Sequence, residues 1–214
     1  MSETKRTIIF CSDLWKAGYF PTHMEKKFER SGFEVKHLAY PAYDKTISVS
    51  KIAEMSMKWA EDIRDRSTHV TFIGHGIGGR IGLEMLALNP VIFDSIVTIA
   101  TPYSASPLIA SVVEIEAFKN ILGAVSPLSL ELAKNATLPD FIAIPALSLS
   151  AQFDSLLAKE ATAPIIENHT TIYHCTHSSI LLKERTFLEI LGWLNYAVFG
   201  PYSFGGKDID DAVV

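Results

Sequence analysis

Val70-Thr71-Phe72-Ile73-Gly74-His75-Gly76-Ile77-Gly78-Gly79 runs from an apolar stretch into four glycines, and a helical pattern continues to Leu88. His69 to Ile73 suits a buried strand, and Gly79 to Leu88 suits a helix closed by Asn89-Pro90. A strand that turns directly into a helix is the repeating step of a parallel sheet with crossover helices. Small residues at 74 and 78 let strand and helix approach closely. Glycine at 76 accepts a positive φ without strain.

Outward from this turn the same alternation recurs. Thr7 to Phe10 reads as a first strand, and Pro21 to Arg30 as a helix stopped by Ser31-Gly32. Glu34 to Leu38 follows as a strand. A helix over about Lys51 to Arg66 repeats Ile52, Met55, Trp59 and Ile63 on one face. Ser95 to Ala100, Ile144 to Ser150 and Thr170 to His174 are the later strands, with His169 placed before the last of them. The closing helix, Lys183 to Phe199, buries Phe187, Ile190, Leu191, Leu194 and Val198. Residues 103–140 break the alternation with a helical segment apolar on one side (Leu108, Val112, Ile115, Phe118, Leu122), as a cover over the sheet edge would be.

The 214 residues suit one domain over 1–200, with a polar, glycine-bearing tail at 201–214 that is expected to fray. Hydrophobic residues make up 48%, enough for a well-filled core. A net charge of -5 leaves no basic footprint for nucleic acid. The apolar run Thr7 to Cys11 is too short for a signal segment or a membrane span, so a cytoplasmic protein without an integral membrane segment is expected. Cys11 and Cys175 fit neither a metal site nor a disulfide framework. They are expected to be buried free thiols.

Two chemistries compete for the glycine turn. Gly74, Gly76 and Gly79 satisfy G-x-G-x-x-G after a strand, the dinucleotide pattern. That pattern expects an acid at the end of the next strand, where this chain has Ala100-Thr101-Pro102. The other frame is G-x-S-x-G, the nucleophile elbow, with glycine where serine belongs.

Four segments carry a resemblance to the α/β-hydrolase superfamily, in particular its small lipase-like and esterase-like members. Gly74 to Gly79 resembles G-H-S-x-G-G, and Thr98 to Pro102 resembles T-x-x-T-P. Asp154, in Ala151-Gln152-Phe153-Asp154, falls where the acid follows a strand. His177-Ser178-Ser179-Ile180-Leu181 resembles the segment holding the catalytic histidine. The likeness covers about Thr7 to Phe199 and keeps the chain order nucleophile, acid, histidine.

It implies a three-layer α/β fold with a mostly parallel central sheet and a helical cover insertion. The implied site is Gly76 at the nucleophile position, His177 as base and Asp154 behind it. The N–H of Ile77 would receive the oxyanion, with a second donor near Asp13 or at Leu14. No metal or organic cofactor is implied. The ligand would be a small ester, thioester or other acyl compound, for which Pro107 to Leu132 could line a cleft.

Two stretches depart from the family pattern. Phe10-Cys11-Ser12-Asp13-Leu14 stands where His-Gly is usual, and Ser104-Ala105 follows Thr101-Pro102. Without an Oγ at 76 no acyl-enzyme forms. Three readings remain open: a serine hydrolase stripped of its nucleophile, a pseudoenzyme that binds or regulates, and a base reaction run by an Asp154–His177 dyad. His169, His174 and His75 are weaker alternatives to His177, as Asp94 and Asp140 are to Asp154. Ser12, Ser104, Ser126 and Ser178 lack an elbow to activate them.

Overall fold

The computed structural model describes residues 5–13, 23–42, 44, 47–105, 111, 114–117, 128–131, 142–155, 157, 166 and 168–200. Six strands form one sheet: β1 (Arg6–Cys11), β2 (Glu34–His37), β3 (His69–His75), β4 (Ser95–Ile99), β5 (Ala146–Ala151) and β6 (His169–Ile172). Their spatial order is β2-β1-β3-β4-β5-β6, and all five pairings are parallel.

Alternation along the strands sorts the core onto two faces. Ile8 and Phe10 of β1, with Ile73, Val97 and Ile99, pack beneath Phe28 of α1 (His23–Arg30) and Phe187 and Ile190 of a late helix. Ile9 and Cys11, with Val70, Phe72 and Ile96, face α2 (Val49–Arg64) and α3 (Ile77–Leu88). Helices therefore cover both faces, which is why β4 and β5 are buried at every position, their Ser and Thr residues included. Each fully buried Ile or Phe contributes about 1.5–3 kcal/mol of transfer free energy.

Local signals set the helix ends. Ser48 caps α2, its hydroxyl accepting the Lys51 N–H at 3.1 Å. The face that α2 buries runs through Val49, Ile52, Ala53, Ser56, Ala60 and Ile63. Met55 is 60% exposed, contrary to the stripe expected from sequence. At 100° per residue it lies 60° from Ile52, away from Ala53 and Ser56, so it falls on the solvent edge.

The C-terminal region also differs in detail from expectation. Two further helices, α4 (Leu128–Glu131) and α5 (Glu184–Trp193), are followed by a π-type turn at Leu194–Val198. Phe187, Ile190 and Leu194 are buried, whereas Leu191 and Val198 are only partly so. His169 opens β6, and His174 lies beyond it, exposed and with φ 54°. The expected order of those two histidines about the strand is therefore reversed.

Of the segment expected to cover the sheet, Ile115 is 52% exposed. Leu108, Val112, Phe118 and Leu122 lie outside the described residues, as do Asp140, Ser126 and the 201–214 tail. Among the described residues no helix is long and apolar enough to cross a membrane.

Candidate active site

The order β2-β1-β3 means that the chain leaves β1 in one direction and returns on its other side. Ligand crevices of open parallel sheets form at such a switch point, outside the carboxyl ends of the strands. The register pairs Cys11 with Gly74, so the residues leaving β1 and β3 emerge side by side. Asp13 and Gly76 are those residues.

The glycines permit the close approach. Gly76 adopts φ 56°, ψ -123° between β3 and α3, and its N–H donates to the Ile99 carbonyl at 2.9 Å. A Cβ on Gly74 would lie 2.7 Å from the Gly78 carbonyl carbon. One on Gly78 would lie 2.7 Å from that of Cys11 and 2.8 Å from the Ser12 oxygen. These distances are below van der Waals contact, so strand, turn and helix fit together only without side chains there.

A Cβ on residue 76 would fall onto the Asp13 side chain, only 2.9 Å from its Cβ and closer still to its carboxylate. That carboxylate is held at both ends. Oδ1 accepts the Ile77 N–H at 3.0 Å, and Oδ2 lies 3.0 Å from His177 Nε2. His177 Nδ1 in turn lies 2.8 Å from Asp154 Oδ2, while Asp154 Oδ1 accepts the Leu157 N–H at 2.9 Å. The histidine is clasped between two carboxylates, one after β1 and one after β5. His75 adds a third side: its Nε2–H donates to the His177 carbonyl at 2.9 Å, and the two rings lie 4.8 Å apart.

Electrostatics follow from this enclosure. Burial opposes charge on His177, but hydrogen bonds from its ring to Asp13 and Asp154, and their negative charges, outweigh it and raise the imidazole to about 9. Burial likewise opposes the Asp13 carboxylate. The His177 hydrogen bond and charge, His75 and the Ile77 N–H hold it well below the usual carboxylate range. The site therefore encloses a buried histidine whose two ring nitrogens both face carboxylates.

Gly76, Ile77, Asp154 and His177 thus meet in one place, while Leu14 lies outside the described residues. Of the competitors, Asp94 sits at the opposite end of the sheet on the Val70 N–H, bonded also to Arg64. His169 faces Ser150, 3.3 Å from its hydroxyl. Ser12 is buried and its carbonyl accepts the Tyr40 hydroxyl. The Asp13 side chain is the participant that sequence reasoning missed, having been weighed only as a backbone donor. The signal was present: an acidic residue just after the first strand, on the strand neighbouring the glycine turn.

No protein-family model and no curated protein matches the chain. Solved structures do. The monoacylglycerol lipase of Paleococcus ferrophilus is 14% identical with a TM-score of 0.68, over 88% of this chain and 93% of that one. An α/β-hydrolase enzyme from the metagenome of Mar Chica lagoon sediments in Morocco is 17% identical with a TM-score of 0.66, over 91% and 93%. YbtT, the type II thioesterase of the yersiniabactin pathway, is 14% identical with a TM-score of 0.58, over 95% and 96%. Matched along nearly the full length of these enzymes, the chain, with its parallel sheet, has the α/β-hydrolase fold.

Proposed function

We propose that the chain carries a lipase/esterase-like hydrolase site that has given up serine chemistry, and that Asp13 fills the place of the lost hydroxyl. In the parent reaction a serine at position 76 would attack an ester or thioester carbonyl. His177 would accept its proton, Asp154 would hold the imidazole, and the Ile77 N–H would stabilise the oxyanion. In this chain the protein binds an acyl ligand without forming an acyl-enzyme, the behaviour of a pseudoenzyme.

One observation carries the reading. The Asp13 carboxylate bridges the Ile77 N–H and His177 Nε2, the two groups that an oxyanion and its attacking hydroxyl would engage. It fits there only because residue 76 has no Cβ. The matched pair favours a settled binding function over an active hydrolase that merely lacks one atom group. It weighs against the dyad reading, since Nε2 is already taken, and against a phosphate resting on the Ile77 amide.

The test is hydrolysis of p-nitrophenyl acetate and butyrate, with labelling by a fluorophosphonate probe. Neither should exceed a heat-denatured control. Thermal shift against medium-chain carboxylic acids and their esters should reveal stabilising ligands. Turnover near the usual enzyme range of about 1 per second or more, or stoichiometric labelling, would refute the loss of serine-type chemistry.

A further inference from the structure

We propose that Asp13, His75 and His177 form a binding site for one first-row divalent metal ion of the zinc type. Each of the three offers a donor atom, all of these lie within 4.8 Å of one another, and all three residues are buried. They leave the carboxyl ends of three different strands, β1, β3 and β6, so the fold itself brings them together.

The stronger argument concerns what holds each ligand. Metal-bound histidines characteristically donate their other ring N–H to a carboxylate or a backbone carbonyl, and ligating carboxylates are themselves hydrogen-bonded. Both histidines here obey that pattern. His177 Nδ1 is held by Asp154, leaving Nε2 as its ligating end. His75 Nε2–H is held by the His177 carbonyl. Asp13 Oδ1 is held by the Ile77 N–H, leaving Oδ2. Each of the three side chains thus already has one orienting partner.

Dimensions and charge agree. Donors in a tetrahedral centre with bonds of about 2.0–2.1 Å sit about 3.3 Å apart. Asp13 Oδ2 and His177 Nε2 are 3.0 Å apart, and the His75 donor, within 4.8 Å of both, would draw inward as an ion displaces the hydrogen between them. That hydrogen leaves to solvent as a proton, and the dication is balanced by the Asp13 and Asp154 carboxylates. Two imidazole nitrogens with one carboxylate suit zinc, cobalt or iron(II) rather than magnesium or calcium, which favour all-oxygen sites. Three protein ligands leave a position for water or a substrate oxygen.

This inference uses the residues of the proposed acyl site but none of its ester chemistry, so either can fail alone. The full chain, stripped with EDTA, is titrated with Co2+ and followed by calorimetry and by the visible absorption of protein-bound cobalt. One ion should bind per chain and be displaced by Zn2+. Asp13→Asn and His75→Gln should each weaken binding by about 10-fold or more. Near-UV circular dichroism identifies any variant that misfolds, and the near-isosteric Asp13→Asn carries the test if His75→Gln does. Replacing the exposed His23 and His174 by glutamine should change nothing. The proposal is overturned by absence of binding, by binding that survives both site variants, or by binding that vanishes with the two exposed histidines.

Discussion

The Asp13 carboxylate and the α-carbon of Gly76 occupy adjoining space so closely that only one of the two positions can carry its side chain in this arrangement. Serine at 76 alone should therefore not restore an esterase. Gly76→Ser should cost about 1–3 kcal/mol by overpacking in urea unfolding and give no p-nitrophenyl ester turnover. Gly76→Ser combined with Asp13→Gly should recover stability and gain both turnover and fluorophosphonate labelling. The double-mutant cycle should show a coupling of about 0.5–3 kcal/mol. Turnover from the single serine variant would mean that Asp13 moves aside freely.

Asp154 meets His177 and the Leu157 N–H through different oxygens, and substitution should resolve these contacts. Asp154→Asn keeps an oxygen for the Leu157 N–H and loses the carboxylate facing His177. It should cost about 1.5–3 kcal/mol, the worth of a hydrogen bond to a charged group. Asp154→Ala should cost about 1 kcal/mol more, the worth of the lost backbone bond. Equal effects of the two variants would show that the Leu157 contact contributes nothing.

Glycine should matter at the turn and not at the chain's last helix. Gly78→Ala would drive a Cβ into the Cys11 and Ser12 backbone, which cannot rotate away. A loss above about 3 kcal/mol or failure to fold is expected. Gly192→Ala, in α5, where an added Cβ would meet no described residue outside its own helix within 4 Å, should instead stabilise by about 0.5–1 kcal/mol. Thermal unfolding of the two variants checks both signs.

His69 should make the fold acid-sensitive. Burial lowers its pKa, Asp94 opposes that, and Arg64 and Arg6 add to the lowering. A histidine lowered in the folded state takes up its proton preferentially on unfolding. Its share of the stability is thus present above pH ~6.5 and lost as pH falls towards the folded value. The stability difference between His69→Gln and the parent chain should change in this window. Titration of the His69 ring proton by NMR with a midpoint at or above 6.5 would contradict it.

The parallel sheet was legible because β-branched and apolar runs alternate with helical periodicity, and tertiary structure had no reason to overrule them. Gly74, Gly76 and Gly78 could be placed because a tight strand-to-helix bend demands small residues in fixed order. Asp154 and His177 could be singled out because they follow strands in segments that resemble those of a known family, and the fold brings the two side chains together. Met55 could not, because a four-residue stripe does not state which edge of the helix meets solvent. Asp13 could not because a loop residue's side chain direction is set by neighbours distant in sequence. Its partners, residues 77 and 177, become neighbours only through the sheet.

His177 and Asp13 stand 164 positions apart in the chain. At ribosomal rates of about 5–20 residues per second, the emerging polypeptide carries the acid for on the order of ten to thirty seconds before its counter-ion is even synthesised. Until β6 docks, that acid has no cationic mate and must stay hydrated rather than sealed. Closure of this cluster is consequently a late event in biogenesis, and a product truncated before β6 would lack it entirely.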